Sequence, residues 1–269
     1  MNIQDKFKKL ESIIRDQKKV AVAFSGGVDS TFLSKVSYDI LGENSIAITI
    51  VSPMNSESEM SDAKEFANQI GIPHALIIDE EIEEEVLDNP VNRCYFCKKS
   101  EFSKIAEKAV ELGFNTVFDG SNMDDLSDYR PGMKALQELN IMSPLKEAGL
   151  TKAEIRELSR QLGLKSWDKP ALACLASRIP YGERITNEKL TKIDKSEAYI
   201  RSLGFKQFRV RTHSDIARIE IAQNELPAIF EPKLMEKISK TLKSYGYLYV
   251  ALELEGYSIG SMNKVIDNS

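Results

Sequence analysis

The sequence predicts an α/β fold, a Rossmann-like parallel-sheet domain followed by a small α+β C-terminal domain. Two observations predict it. Short, mostly apolar runs alternate with amphipathic stretches as far as residue 163, and beyond residue 180 the order becomes helix, two strands, helix, strand. Strands that alternate with helices build a parallel sheet covered on both faces. Ligands of such sheets bind at the carboxyl ends of the strands.

Taken in order, "VAVAF" (20–24) is a buried strand that stops at Gly26-Gly27, before the helical pattern "STFLSKVSYDIL". "IAITIV" (46–51) is a second buried strand, and Ser56 with Glu59 forms a capping box opening "SEMSDAKEFANQIG". "HALIID" (74–79) is a third strand, "SEFSKIAEKAVELG" (100–113) a helix ended by its glycine, and "TVFDG" (116–120) a fourth strand. Thr151 and Glu154 cap "KAEIRELSRQLG", which ends near 163. Beyond residue 180, "NEKLTKIDKSEAYIRSLG" is a helix, "KQFRVRTH" and "IARIEIA" are strands, residues 224–243 form a helix and "YLYVALELEG" a strand. The expected organisation is a domain over 1–165, a connector rich in Pro, Ala and Ser over 166–186, and a small α+β domain over 187–269.

A chain of 269 residues exceeds the size at which one core stops growing, in keeping with one larger and one smaller domain. No apolar run approaches the roughly 18 residues that span a bilayer, and no basic stretch followed by an apolar one opens the chain. A cytoplasmic protein without a membrane partner is expected. The formal net charge of −5 speaks against a broad nucleic-acid face, because phosphate neutralisation wants clustered Lys and Arg. Three cysteines are too few and odd in number for a secreted disulfide framework.

"SGGVDS" (25–30) follows the first strand and opens the first helix, where a glycine turn lets backbone N–H groups face an anion. Ser25, Gly26, Gly27 and Ser30 are the candidate anion-binding residues. The loop lacks the Gly-Lys-Ser/Thr ending of the usual P-loop and the third glycine of the dinucleotide fingerprint. Asp29 is either the acidic member beside a metal ion or a first-turn Asp that complements the helix dipole.

SGGVDS resembles the pyrophosphate loop of the adenine-nucleotide α-hydrolase (PP-loop) superfamily, which includes GMP synthetases, NAD synthetases, asparagine synthetases and tRNA thiolases; the resemblance spans residues 19–145. It implies an ATPase domain that cleaves ATP between the α and β phosphates, leaving AMP on an acceptor oxygen. Fixed N–H dipoles and Mg²⁺ would stabilise the departing pyrophosphate. Ser52, beyond the second strand, and Gly120, beyond the fourth, lie where base and ribose would pack.

Further along, "DGSNMDDLSDYRPG" (119–132), "KPALACLASRIPYGERIT" (169–186) and "FRVRTHSDIARIEI" (208–221) resemble the LarE family, so that the likeness runs over nearly the whole chain. The resemblance implies an ATP-dependent sulfur transferase that adenylylates carboxylates of pyridinium-3,5-dicarboxylate mononucleotide and converts them to thiocarboxylates, on the route to the nickel-pincer nucleotide of lactate racemase. Arg209 and Arg211 lie two apart on a strand, so their side chains share a face; they would clamp the substrate phosphate or else line a solvated face. Ser177, Arg178 and Arg184 in the connector would bind the same phosphate and fix the substrate carboxylate. Arg130 would join them or pair with Asp128.

Cys94 and Cys97 stand in "NRCYFCKK", and Cys174 in the connector. Taken alone the pair is a redox dithiol, half a zinc site or an incidental pair at a helix start; neither histidine, His74 nor His213, is within ligand spacing of a cysteine in sequence. His213 is expected to be a satisfied structural histidine. The resemblance implies two sources of sulfur. Either Cys174 alone gives up its own sulfur, or Cys94, Cys97 and Cys174 hold a [4Fe-4S] cluster whose fourth iron lacks a protein ligand and carries an extra sulfide. The expected cofactors are ATP, Mg²⁺ and the cluster. The expected partners are a small-molecule mononucleotide, a sulfide donor of unknown identity and further copies of the same chain. A tRNA thiolase would bring an RNA-binding appendage and a basic surface, an amidotransferase a Cys-His-Glu glutaminase, and a nucleotide or iron-sulfur carrier no turnover.

Overall fold

The computed structural model describes residues 1–127, 132–170, 173–258 and 260–262. The chain divides into two compact units, one comprising Met1–Ser52, Glu57–Glu83 and Asn92–Leu172, the other Pro53–Ser56, Glu84–Val91 and Ala173–Ser269.

In the first unit, β1 (Val20–Ala23), β2 (Ser45–Val51), β3 (His74–Ile78) and β4 (Val117–Phe118) form one parallel sheet in the order β3-β2-β1-β4. Side chains alternate across a strand, and β1 shows it: Val20 and Val22 join one apolar cluster, Ala21 the other. The first cluster is closed by α1 (Ile3–Gln17), α2 (Val28–Leu41), α3 (Glu57–Ile70) and α8 (Lys152–Gln161) through Leu10, Ile14, Phe32, Leu33, Phe66 and Leu158. The second is closed by α5 (Arg93–Glu111) and α6 (Gly132–Glu138) through Phe102, Ile105, Ala109 and Leu136, packed on Ile46, Ile48 and Ile50. Sheet and covering helices are thus the α/β arrangement that the alternating pattern predicts. The short helix α7 (Pro144–Glu147) precedes α8, whose capping box of Thr151 and Glu154 is present.

The second unit holds the short α4 (Glu84–Leu87), then α9 (Asn187–Ser202), β5 (Phe208–His213), β6 (Ile216–Ile221), α10 (Pro232–Ser244) and β7 (Tyr249–Leu252). Its sheet runs β5-β6-β7, antiparallel for the first pair and parallel for the second. Val210, Ala217, Ile219 and Ile221 face a separate core with Ile200, Ile238 and Leu242.

The short helices α4, α6 and α7 were not expected, and three further elements differ from expectation. α1 was not expected; Asn2 caps it by accepting from the Asp5 N–H at 2.9 Å, and it buries Leu10 and Ile14. α5 begins at Arg93 rather than near 100, so both cysteines of the Cys-x-x-Cys pair are helical. The helix expected over 224–243 is split: a 3₁₀ turn (Leu226–Phe230) comes first, and α10 starts at Pro232, which has no N–H to donate, with Glu231 accepting from the Lys233 and Leu234 N–H groups.

Candidate active site

The floor of the glycine loop is fixed by β2 and β3. Phe24 donates its N–H to the Ile48 carbonyl at 2.8 Å, and its own carbonyl accepts from Thr49 Oγ1 at 2.6 Å. Thr49 Oγ1 also lies 2.8 Å from His74 Nε2. A hydroxyl has one proton, so once Thr49 donates to Phe24, His74 must donate to Thr49 and its Nε2 carries the hydrogen. The imidazole stands edge-on to the Phe24 ring at 5.6 Å. Burial, with a smaller push from Lys64, lowers its pKa and keeps it neutral.

Above this floor the chain turns through Gly26 at φ +66°. A Cβ on Gly26 would sit 2.9 Å from the Ala63 backbone, so glycine is required by both conformation and space. Gly27 is the N-cap of α2 and has no side chain to cap it, which leaves first-turn N–H groups free for an anion. The Ser25 and Ser30 hydroxyls are 3.2 Å apart; Ser30 Oγ donates to the Gly27 carbonyl at 3.3 Å, and the Gly27 N–H donates to Ser25 Oγ at 3.4 Å. A Cβ on Gly120 would lie 3.3 Å from the Ser30 nitrogen and 3.4 Å from Asp29 Cβ, which places the end of β4 directly against the start of α2. Ser52 follows β2, at the same carboxyl edge of the sheet. Lys169 Nζ binds the Gly26 carbonyl at 3.0 Å and Asp62 at 2.7 Å, tying the loop to α3.

Asp29 is paired through Oδ2 with Lys152, the first residue of α8. Its Oδ1 is buried with no hydrogen-bond partner. Burial raises the Asp29 pKa; the Lys152 ammonium opposes it and does not fully offset it. A buried carboxylate oxygen with no partner fits a hard cation, whose ligands are oxygens. At the end of β4, Asp119 accepts from Ser143 Oγ at 2.5 Å and the Ser121 N–H at 3.1 Å, which holds the Gly120 turn in place.

Cys94 is exposed and Cys97 half-buried, neither in a disulfide, both in the first turns of α5. Cys97 Sγ lies 3.4 Å from Glu101 Oε1. Tyr95, between them, donates to Glu138 at 2.8 Å, and a Cβ on Gly132 would stand 3.3 Å from the Cys94 carbonyl, so α6 packs directly on this turn.

In the second unit the free Cys174 precedes the 3₁₀ turn Leu175–Arg178, and its carbonyl accepts from the Ser177 N–H at 2.9 Å and Arg178 NH1 at 3.0 Å. Arg178 is buried and forms a two-pronged pair with Glu197, both contacts 2.9 Å. Burial pushes the Glu197 carboxyl up, but Arg178 outweighs it and leaves the group below its ordinary value. Arg178 also donates to Ser177 Oγ at 2.9 Å. It therefore shapes the cysteine turn from beneath.

Arg209, Arg211, Arg218 and Glu220 share one face of the β5–β6 pair, with Arg209 opposite Glu220 and Arg211 opposite Arg218. At Arg209 and Arg211 that face is buried, not solvated. Arg211 donates to Glu220 Oε2 at 2.8 Å and the Ser177 carbonyl at 3.1 Å, while its Nε is buried without a partner. Arg209 packs against the Tyr257 ring at 5.2 Å and donates to the Phe208 carbonyl at 2.6 Å. Ser177, Arg178 and Arg211 are thus brought together, whereas exposed Arg184 is engaged by Glu84 at 2.6 Å and Asp88 at 2.8 Å. His213 is not the satisfied histidine expected: its Nε2 is buried without a partner, and burial followed by Arg218 lowers its pKa. Arg130 and Asp128 lie outside the described residues.

Lys152, Lys169, Glu197 and Glu220 were not found from the sequence. Only the Thr151–Glu154 cap marked the turn that carries Lys152; Glu220 becomes visible when the strands pair, and Glu197 when α9 meets the turn that carries Arg178. Among the described residues no group of three or more His, Cys, Asp or Glu is gathered for a metal ion, and no helix is long and apolar enough to cross a membrane.

The NAD synthase family model matches residues 3–104. An uncharacterised protein of Synechocystis is 43% identical over 98% of this chain and 99% of its own length. A pyridinium-3,5-bisthiocarboxylic acid mononucleotide synthase of Lactiplantibacillus plantarum is 34% identical over 96% of this chain and 93% of its own. A tRNA-specific 2-thiouridylase of Rickettsia peacockii is 30% identical over 77% of this chain and 66% of its own.

Proposed function

The chain belongs to the LarE family of PP-loop proteins, and from that premise we propose that it is an ATP-dependent sulfur transferase that makes thiocarboxylates from pyridinium-3,5-dicarboxylate mononucleotide for nickel-pincer nucleotide synthesis. The observation that carries this reading is the anion cradle at the carboxyl end of the parallel sheet, with the partnerless Asp29 oxygen beside it, in a chain that matches such a synthase over 96% of its length.

In the reaction we infer, a substrate carboxylate oxygen attacks the α-phosphorus of ATP and pyrophosphate leaves. The loop N–H groups and the Ser25 and Ser30 hydroxyls hold the departing pyrophosphate, fixed dipoles aimed where charge develops. Asp29 Oδ1 would hold Mg²⁺, which supplies charge neutralisation at the phosphates. Lys152 holds the other Asp29 oxygen and keeps the carboxylate turned. Arg209 and Arg211 bind the mononucleotide phosphate, with Ser177 and Arg184 contributing, while Arg178 positions the Cys174 turn. Sulfide then attacks the activated acyl carbon and AMP leaves. Cys94, Cys97 and Cys174 are the thiols that would hold a [4Fe-4S] cluster, which when bound offers an exchangeable sulfide at an iron without a protein ligand.

Intact-chain mass spectrometry after turnover with ATP and the dicarboxylate mononucleotide tests this. An unchanged mass over several turnovers is expected. Loss of hydrogen sulfide mapped to Cys174 would replace the cluster by a sacrificial cysteine, and no substrate-dependent pyrophosphate release would overturn the enzyme reading. The likeness to a tRNA thiouridylase favours one second reading, thiolation of tRNA. It predicts pyrophosphate release stimulated by tRNA rather than by the mononucleotide.

A further inference from the structure

The parallel sheet of the first unit ends differently at its two sides. Beyond β4 the backbone of Phe118 is bridged by Met142, whereas among the described residues β3 pairs with β2 alone. In a parallel ladder every second residue bonds to a given neighbour. The Pro73 carbonyl accepts from the Ala47 N–H at 2.8 Å and the Asp79 N–H donates to the Val51 carbonyl at 2.9 Å, so Pro73, Ala75, Ile77 and Asp79 face β2. His74, Leu76 and Ile78 therefore turn their N–H and carbonyl groups outward.

This edge lacks the usual protection. Soluble proteins blunt an edge strand with a lysine, a proline or a bulge; "HALII" has neither residue, and its register against β2 is unbroken. Leu76 is 37% and Ile78 63% exposed, on the same sheet face as His74, whose ring meets Phe24. Ala75 and Ile77 point the other way, towards the second apolar cluster. Exposed apolar side chains and outward amide groups thus coincide along one line. The flanks of that line differ in sign. At its start exposed Lys64 acts on His74, while the acids beside it, Asp62 and Glu65, are already held by Lys169 and Lys165. At its finish Asp79 is engaged by Lys104, and exposed Glu80 and Glu81 follow.

We propose that β3 pairs antiparallel with β3 of a second copy of this chain across a two-fold axis at Leu76, joining two four-stranded sheets into one. Leu76 then meets its counterpart and His74 meets Ile78, with about two hydrogen bonds for each opposing pair. Continuing the register sets Glu80 opposite Ile72 of the other copy, on the face that α3 covers with Lys64. The acidic end of each strand meets the basic end of the other, and the contact closes on itself without leaving an edge. One strand and its flanks bury little area, so the association is expected to be roughly micromolar.

Sedimentation velocity of the full chain across a concentration series tests this, alongside hydrogen exchange of the peptide carrying residues 74–78. The parent should assemble in even numbers of chains and protect that peptide as it does so. Leu76→Pro removes an N–H that β2 does not use and should halve the mass of the assembly. Glu80→Lys with Glu81→Lys should weaken association about 10-fold, and adding Lys64→Glu should restore it. A parent that stays monomeric up to about 100 µM overturns the proposal. So does an assembly whose mass is unmoved by both Leu76→Pro and the charge reversal, or a reversal that Lys64→Glu does not rescue.

Discussion

Asp29, the residue proposed to hold the metal ion, pairs that role with a cost of burial. Its carboxylate is held away from water, which raises its pKa, and the Lys152 ammonium, with a smaller pull from Arg156, opposes that rise. Removing Lys152 leaves burial less opposed, so the Asp29 pKa climbs further. Lys152→Ala is therefore expected to move the acid limb of ATP-dependent pyrophosphate release to higher pH, read from a pH profile of the rate. Asp29→Asn should lower that rate by about 100-fold or more while leaving the midpoint of thermal unfolding no lower than the parent's. Under the loop, Thr49→Val strands the Phe24 carbonyl and should cost about 1–3 kcal/mol in urea unfolding. The same unfolding has a pH term. His74 has a depressed folded pKa, so its contribution is present above the unfolded value of 6.5 and is lost as pH falls through the folded one.

At the scale of elements, the α9–β5 seam depends on the Arg178–Glu197 pair. Glu197→Gln leaves a buried guanidinium without its counter-charge and should cost about 3–5 kcal/mol, measured as a lower denaturation midpoint. Because the folded Glu197 pKa is depressed, its stabilisation is present above the unfolded value of 4.5 and disappears as pH falls through the folded value. Local pattern made most elements legible: β1 was a wholly apolar run, β2 and β3 were mostly apolar ones, and the Thr151 capping box opened α8 where the residues required. What the sequence hid was non-local. α1 is mostly polar, and Leu10 and Ile14 find partners in an apolar cluster built from elements far along the chain. Likewise Arg209 and Arg211 were legible as one face of a strand, but their burial depends on Tyr257 and Ser261, about 50 residues away.

Across the whole molecule, the loop and the cysteines were not equally legible in the sequence. The SGGVDS loop could be placed from sequence because strand, glycine turn and helix are contiguous, whereas the three cysteines come from two units and no local pattern relates them. Anaerobically isolated protein is expected to carry about four irons and four sulfides per chain; elemental analysis and the visible absorption of a cluster check this, and a colourless preparation that cannot be reconstituted would remove it. Gly26 has a different lesson. Trimming Ala63 to glycine would not make room for a side chain at 26, since the obstacle is the α3 backbone itself. Position 26 is thus frozen by architecture, independently of any nucleotide. A descendant that abandoned catalysis would keep this glycine for as long as it kept α3, yet would gain by discarding the buried carboxylate at 29. Gly26 thus answers to the packing of α3, whereas position 29 is tied to chemistry through the metal role proposed for its buried oxygen.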